Sequence, residues 1–130
     1  MANGGRIVHP NALPNYQNAV IPREKLEGFA LNPIHKAARP GGSSGKDKAR
    51  VFKSVLGFDQ SNCEALKQRI LDELPFYEAV LETERSQYGK VYRVDISILG
   101  ANGNTANVRT AWIIRRGTVY PSLVTLWVLL

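Results

Sequence analysis

The chain has 130 residues, 44% of them hydrophobic and 22% charged, with a net charge of +6. That length suits one domain with a core of its own, and that composition excludes wholesale disorder. Cys63 is the only cysteine, which excludes an intrachain disulfide and leaves a small buried thiol as the default reading.

Chain order begins with "MANGGRIVHP", which holds no apolar run long enough for a signal peptide. Residues 1–12 read as linker and residues 13–130 as a single domain, cut from the end of something longer. A short helix is predicted from Pro22 to Ala30, with proline at its first position and Leu26, Phe29 and Ala30 on one face; Pro33 ends it. The stretch "KAARPGGSS" favours no regular element and reads as a mobile loop. A second helix is predicted from about Gly45 to Leu56, burying Val51, Phe52, Val55 and Leu56, with Gly57 as its C-cap. Lys48 and Phe52 are four apart, so the lysine sits at the rim of the core. Ser61 and Glu64 have capping-box spacing, and Leu66, Ile70, Leu71 and Leu74 form the apolar stripe of a third helix that Pro75 closes.

After Pro75 the period becomes alternating. "YEAVLETE" leads into a turn at Tyr88–Gly89. The next strand sets Tyr92, Val94, Ile96 and Ile98 on one face and Arg93, Asp95 and Ser97 on the other. "GANGN" is a hairpin turn. The following strand sets Val108, Thr110, Trp112 and Ile114 against Asn107, Arg109 and Ala111. The last, "SLVTLWVLL", is apolar on both sides; with Val124, Leu126 and Val128 in the core, Thr125 joins Arg93, Asp95 and Arg109 on the open face. It is too short to span a bilayer, so the chain reads as soluble, without membrane insertion. The expected architecture is α+β: short N-terminal helices packed on one face of a four-stranded antiparallel sheet.

Charge is unevenly distributed along these elements. Residues 35–53 carry six Lys and Arg against Asp47, residues 85–130 carry six against Asp95, and residues 59–84 carry seven acids against two bases. A chain so polarised can offer a basic surface to a polyanion such as RNA, although a solvated face with no partner has the same composition. Two histidines and one cysteine supply no metal-ligand set at a recognised spacing, and "PGGSSGKDK" lacks the phosphate-loop spacing, so neither metal nor cofactor is expected.

The chemistry-bearing set is then His35, Lys46, Lys48, Arg109, Thr110 and Thr125. RNA carries its own nucleophile in the 2′-hydroxyl, so internal transesterification needs only a base, an acid and cations to hold charge on the phosphorane. His35 reads equally as a loop histidine at a helix end, Arg109 as a cross-strand partner of Asp95, and Thr125 as an ordinary strand residue.

The segments "LPNYQNAVIPREKLEGFALNP", "GKDKARVFKSVLGF", "YGKVYRVDISILGANGNTANVRTAWII" and "PSLVT" resemble a small bacterial domain of unassigned function. That domain occurs alone and at the ends of large secreted polymorphic-toxin proteins. The resemblance covers Leu13 to Thr125. The order of helices and sheet also resembles the barnase, EndoU, colicin and RelE group of RNase toxins, contact-dependent inhibition toxins included. The family's L-N-P-x-H falls on Leu31, Asn32, Pro33 and His35, and its G-x-H-K-A-R on Gly45, Lys48, Ala49 and Arg50. Its V-R-T-x-W falls on Val108, Arg109, Thr110 and Trp112, and its P-x-L-V-T on Pro121, Leu123, Val124 and Thr125. Asp47 stands where a histidine is usual, which removes one candidate acid, and the loop Lys36–Ser44 is longer than usual.

The resemblance implies a metal-independent endoribonuclease toxin acting on tRNA or another structured RNA. His35 would be general base or acid, Lys48 and Arg109 phosphate and transition-state cations, and Thr125 an orienter of the scissile phosphate. Lys46, Arg50, Thr110, Lys36 and Arg39 would bind substrate. An acidic immunity protein is the implied partner, and delivery within a larger secreted protein to the target-cell cytoplasm the implied location. Two other readings stay open: a non-catalytic RNA- or protein-binding module using the basic sheet face, and a toxin enzyme of another class.

Overall fold

A computed structural model describes residues 6–33, 45–85 and 87–130, and of Phe29, Gly45, Lys46, Asp47 and Arg85 the backbone alone. The expected loop Lys36–Ser44 lies outside the described residues. Among the described residues three short helices precede a four-stranded antiparallel meander of order β1-β2-β3-β4, so the fold is α+β.

Helix α1 (Arg23–Lys25) widens into a π turn, Leu26–Ala30, with Pro22 as its N-cap and not its first residue. Helix α2 (Gly45–Val51) does the same over Phe52–Leu56, and Gly57 closes it in the left-handed region at φ 74°. Helix α3 (Cys63–Glu73) is preceded by a 3₁₀ turn, Gln60–Asn62, which moves the cap upstream of the expected Ser61 and Glu64. There the Asp59 carboxylate accepts the Ser61 N–H at 2.9 Å and the Asn62 side chain accepts the Asp59 N–H at 2.8 Å. Pro75 lies inside a second 3₁₀ turn, Leu74–Phe76, that follows α3.

Strands β1 (Ala79–Arg85), β2 (Gly89–Leu99), β3 (Thr105–Arg115) and β4 (Ser122–Val128) pair as successive neighbours. Their buried face carries Val94, Ile96 and Ile98 from β2, Val108 and Trp112 from β3, and Leu126 and Val128 from β4. Against it pack Phe52, Leu56, Leu66 and Ile70 from the helical half, with Leu13, Ile21 and Leu31 from the N-terminal part. Burying a side chain of this kind contributes roughly 1.5–3 kcal/mol, so this interface holds the two layers together. In β4 a register shift between Ala111 and Trp112 leaves Val124 as an extra residue, so Leu123 lies opposite Trp112 in the core. The expected core position of Val124 is therefore taken by Leu123, because a bulge reverses the alternation on one side of itself.

Residues 6–12, expected as linker, are tied to the domain. Arg6 makes a two-pronged pair with Glu73 at 2.8 and 2.9 Å, and its guanidinium lies 3.9 Å from the Phe76 ring centre. The His9 N–H donates to the Pro75 carbonyl at 3.0 Å, and the Ala79 N–H donates to that of Asn11 at 2.8 Å.

The β2–β3 turn docks on the end of α2's π turn. The Asn102 side-chain amide donates to the Val55 carbonyl at 3.1 Å, covering one of the carbonyls that a helix end leaves unsatisfied. Gly100 makes the close approach possible, since a Cβ there would meet the Leu56 carbonyl oxygen at 2.4 Å. Gly100→Ala is therefore expected to lower stability by about 1–3 kcal/mol, the usual cost of overpacking. A urea midpoint unchanged from wild type, at unchanged slope, would show that the contact does not hold the layers in place.

Candidate functional site

Ala49 and Phe52 fix which side of α2 faces the core, with 6% and 0% of their surfaces exposed. Lys48 flanks that side and is half-buried. Its Nζ donates to Thr125 Oγ1 at 2.9 Å and lies 5.2 Å from the Trp127 ring centre, within cation–π range. Burial lowers the pKa of the Lys48 ammonium, because leaving water disfavours the charged form.

Register explains how the lysine reaches these partners. Thr125 pairs with Ala111 and Trp127 with Arg109, while Leu126 between them pairs with the buried Thr110. Thr125 and Trp127 thus lie on the face away from the helical core. As β4 is the last strand of the sheet, Lys48 comes to them around that edge.

The same face carries a row of charges. Arg109 donates from Nε and Nη2 to the two oxygens of Asp95, each at 2.9 Å. Arg93 lies 3.2 Å from Glu82 and 4.0 Å from Asp95. The hydrogen bond from Arg109 holds the Asp95 carboxyl below the usual carboxylate range, partial burial opposing it. With about a third of each side chain exposed, such a pair contributes little to stability, because water screens it. Its main effect is to hold the guanidinium in one orientation.

The structure brings Lys48 to Thr125 and sets Arg109 across one strand pair from Trp127. It does not bring Thr110 to this face. Thr110 is fully buried, its hydroxyl donating to the Val94 carbonyl at 2.7 Å and accepting from the Trp112 indole at 2.8 Å. The expectation that Thr110 binds substrate is corrected accordingly: its polar group is enclosed and serves the core. Arg50 is two residues from Lys48, about 200° around the helix. It lines a separate cleft of about 520 Å³ with Pro33, Lys53 and Asp59. His35, Lys36 and Arg39 lie outside the described residues, as does the side chain of Lys46. Trp127 was not singled out from the sequence. Its spacing of two from Thr125 was the available signal, obscured by a strand apolar on both sides.

A model of the DUF6883 family, a domain of unknown function, matches residues 12–130. The chain belongs to this family. No curated protein and no solved structure matches it. The matched stretch of the DUF6883 domain takes in all three helices and all four strands, Lys48, Thr125, Asp95 and Arg109 included.

Thr110→Val keeps the side chain's shape but strands the Trp112 N–H. It is expected to lower stability by about 1–3 kcal/mol, read from the urea midpoint; a neutral result would mean that the indole finds another partner. Asp95 gives a pH signature. Its folded-state pKa is depressed, so its contribution is present above the ordinary carboxylate range and lost as pH falls through the folded-state value. The melting temperature of Asp95→Asn should lie below wild type at neutral pH and converge with it in strong acid. A gap that stays constant with pH would remove the ion pair as its cause.

Proposed function

We propose that this domain is a metal-independent endoribonuclease of the polymorphic-toxin type, cleaving tRNA or another structured RNA by attack of the 2′-hydroxyl. The observation that carries the reading is the Lys48–Thr125 contact, a half-buried ammonium held at 2.9 Å by a hydroxyl on a polar sheet face. An ammonium partly withdrawn from water gains more from a phosphate than a solvated one. Thr125 Oγ1 accepts from Lys48, which leaves its own proton to donate to a phosphate oxygen. Trp127 beside them offers a ring on which a nucleobase can stack.

In the proposed reaction the 2′-oxygen bonds to phosphorus, the bond from phosphorus to the 5′-oxygen breaks, and a 2′,3′-cyclic phosphate forms. His35 takes the 2′-hydroxyl proton or supplies one to the leaving 5′-oxygen, and water makes the other of these two transfers. Lys48 and Thr125 bind the non-bridging oxygens as negative charge grows on them. Arg109, oriented by Asp95, is the second cation. An acidic immunity protein would neutralise the domain by covering this face, and delivery within a larger secreted protein would bring it to a target cell.

The Arg109–Asp95 pair also favours a second reading, a binding module in which Arg109 serves the sheet and no cleavage occurs. Incubation of the purified domain with total RNA in excess EDTA separates the two. Discrete products with 2′,3′-cyclic phosphate ends are expected. Thr125→Val and Lys48→Met should lower the saturated rate about 10²–10³-fold, and His35→Ala about 10²–10⁴-fold. RNA that is retained but stays intact would overturn the nuclease and leave the module.

A further inference from the structure

Four arginines of this domain are paired with its own carboxylates: Arg6 with Glu73, Arg23 with Glu27, Arg93 with Glu82 and Arg109 with Asp95. Arg115 and Arg116, at the end of β3, are both exposed, and neither makes an ion pair among the described residues. Their backbone is nevertheless anchored. The Arg116 N–H donates to the Tyr88 carbonyl at 3.1 Å, and Thr118 returns its N–H at 2.9 Å and its hydroxyl at 2.8 Å to the Arg115 carbonyl. Asn15 secures the far side of the turn through the Val119 carbonyl at 2.9 Å.

These two cations border an open cleft of about 480 Å³, whose lining also includes Lys90, Tyr92, Ile114 and Val119. The acid in that lining is Glu84, and it lies 3.7 Å from Lys90. The two arginines are therefore the uncompensated charge of the site. Tyr88, whose carbonyl accepts from the Arg116 N–H, is 60% exposed, and Val119 in the cleft lining is 74% exposed. Exposed guanidinium groups on an anchored backbone beside an exposed ring are what single-stranded nucleic acid takes, its phosphates on the cations and a base on the ring. An acidic protein surface would use the charge but leave Tyr88 without a role.

Strand geometry relates Arg115 to the site above. Positions 109, 111, 113 and 115 alternate onto one face of β3, with Ala111 opposite Thr125, whereas the cleft's Lys90, Tyr92 and Ile114 belong to the other face, so the arginine pair stands where the two faces meet at the end of the sheet. Arg115 then stands about 13 Å along the strand from Ala111. We infer that the Arg115–Arg116 end of the sheet, with Tyr88, is a second binding site for single-stranded RNA, holding the segment that flanks the one at Lys48 and Thr125. The inference rests on the reading that the domain acts on RNA.

A fluorescein-labelled, mixed-sequence oligonucleotide with every sugar 2′-O-methylated tests it, because it binds without being cleaved. Its affinity for the whole chain is measured by anisotropy across a salt series, on variants whose melting temperatures match wild type. Arg115→Ala with Arg116→Ala should weaken binding at least tenfold at low salt. It should also make the slope of log affinity against log salt shallower by about 1.4, two phosphate contacts at roughly 0.7 each. Tyr88→Ala should weaken binding about tenfold with the slope unchanged, since stacking involves no counterion release. On cleavable RNA the double arginine variant should need more RNA for half-maximal rate while its saturated rate stays at the wild-type value. Unchanged affinity and slope in the double variant would overturn the second site. So would a loss shared equally with polyglutamate and unaffected by Tyr88→Ala, which marks a general anion patch or an acidic protein's footprint. If wild type cleaves no RNA but loses the oligonucleotide in these variants, the nuclease fails and the second site stands.

Discussion

The junction between the end of α2's π turn and the β2–β3 turn decides where everything else in this domain lies. A helix end leaves carbonyls without partners, and here Asn102 reaches one of them from the hairpin. Gly57 and Gly100 let the two backbones approach. With that end held over β3, and Phe52 and Leu56 sunk in the core, the helix can run in one direction only. It carries Lys48, eight residues or about 12 Å upstream of Leu56, to the edge of β4. The lysine is half-buried there because the scaffold places it so.

Electrostatics on the sheet face have two different characters. Glu82, Arg93, Asp95 and Arg109 form a balanced row, its members held by guanidinium–carboxylate contacts that orient more than they stabilise. Lys48 counts a neutral hydroxyl and an aromatic ring among its partners, and burial works against its charge. An arriving phosphate would offset the desolvation of that ammonium, whereas at Arg109 it would have to compete with Asp95.

The proposed nuclease and the proposed second RNA site divide these roles along one strand. Around Thr125 the contact with Lys48 is partly enclosed and oriented, which suits charge that develops only in a transition state. At Arg115 and Arg116 the cations are exposed and uncompensated, which suits attraction of a polyanion at longer range. β3 joins the two, and its rigidity sets their separation.

Much of the fold was legible in the sequence. Alternation in "KVYRVDISIL" and "TANVRTAWII" assigned both central strands and their faces, and "GANGN" and Gly57 marked the turn and the cap. Periodicity of this kind reports burial residue by residue, so it needs no knowledge of what lies opposite. Local chemistry misled where two solutions compete nearby: Asp59 and Asn62 cap the turn before α3 in place of Ser61 and Glu64, and a bulge exchanges Leu123 for Val124. Thr110 was placed on the correct face and given the wrong role, because a hydroxyl that ties Trp112 to β2 looks in sequence like one that binds substrate. By itself the sequence determined the α+β class, the strand order and the set of polar residues available. Only the tertiary structure decided which of them meet, because Lys48 and Thr125 stand 77 residues apart, and their contact depends on helix docking and edge-strand register, which no local pattern encodes.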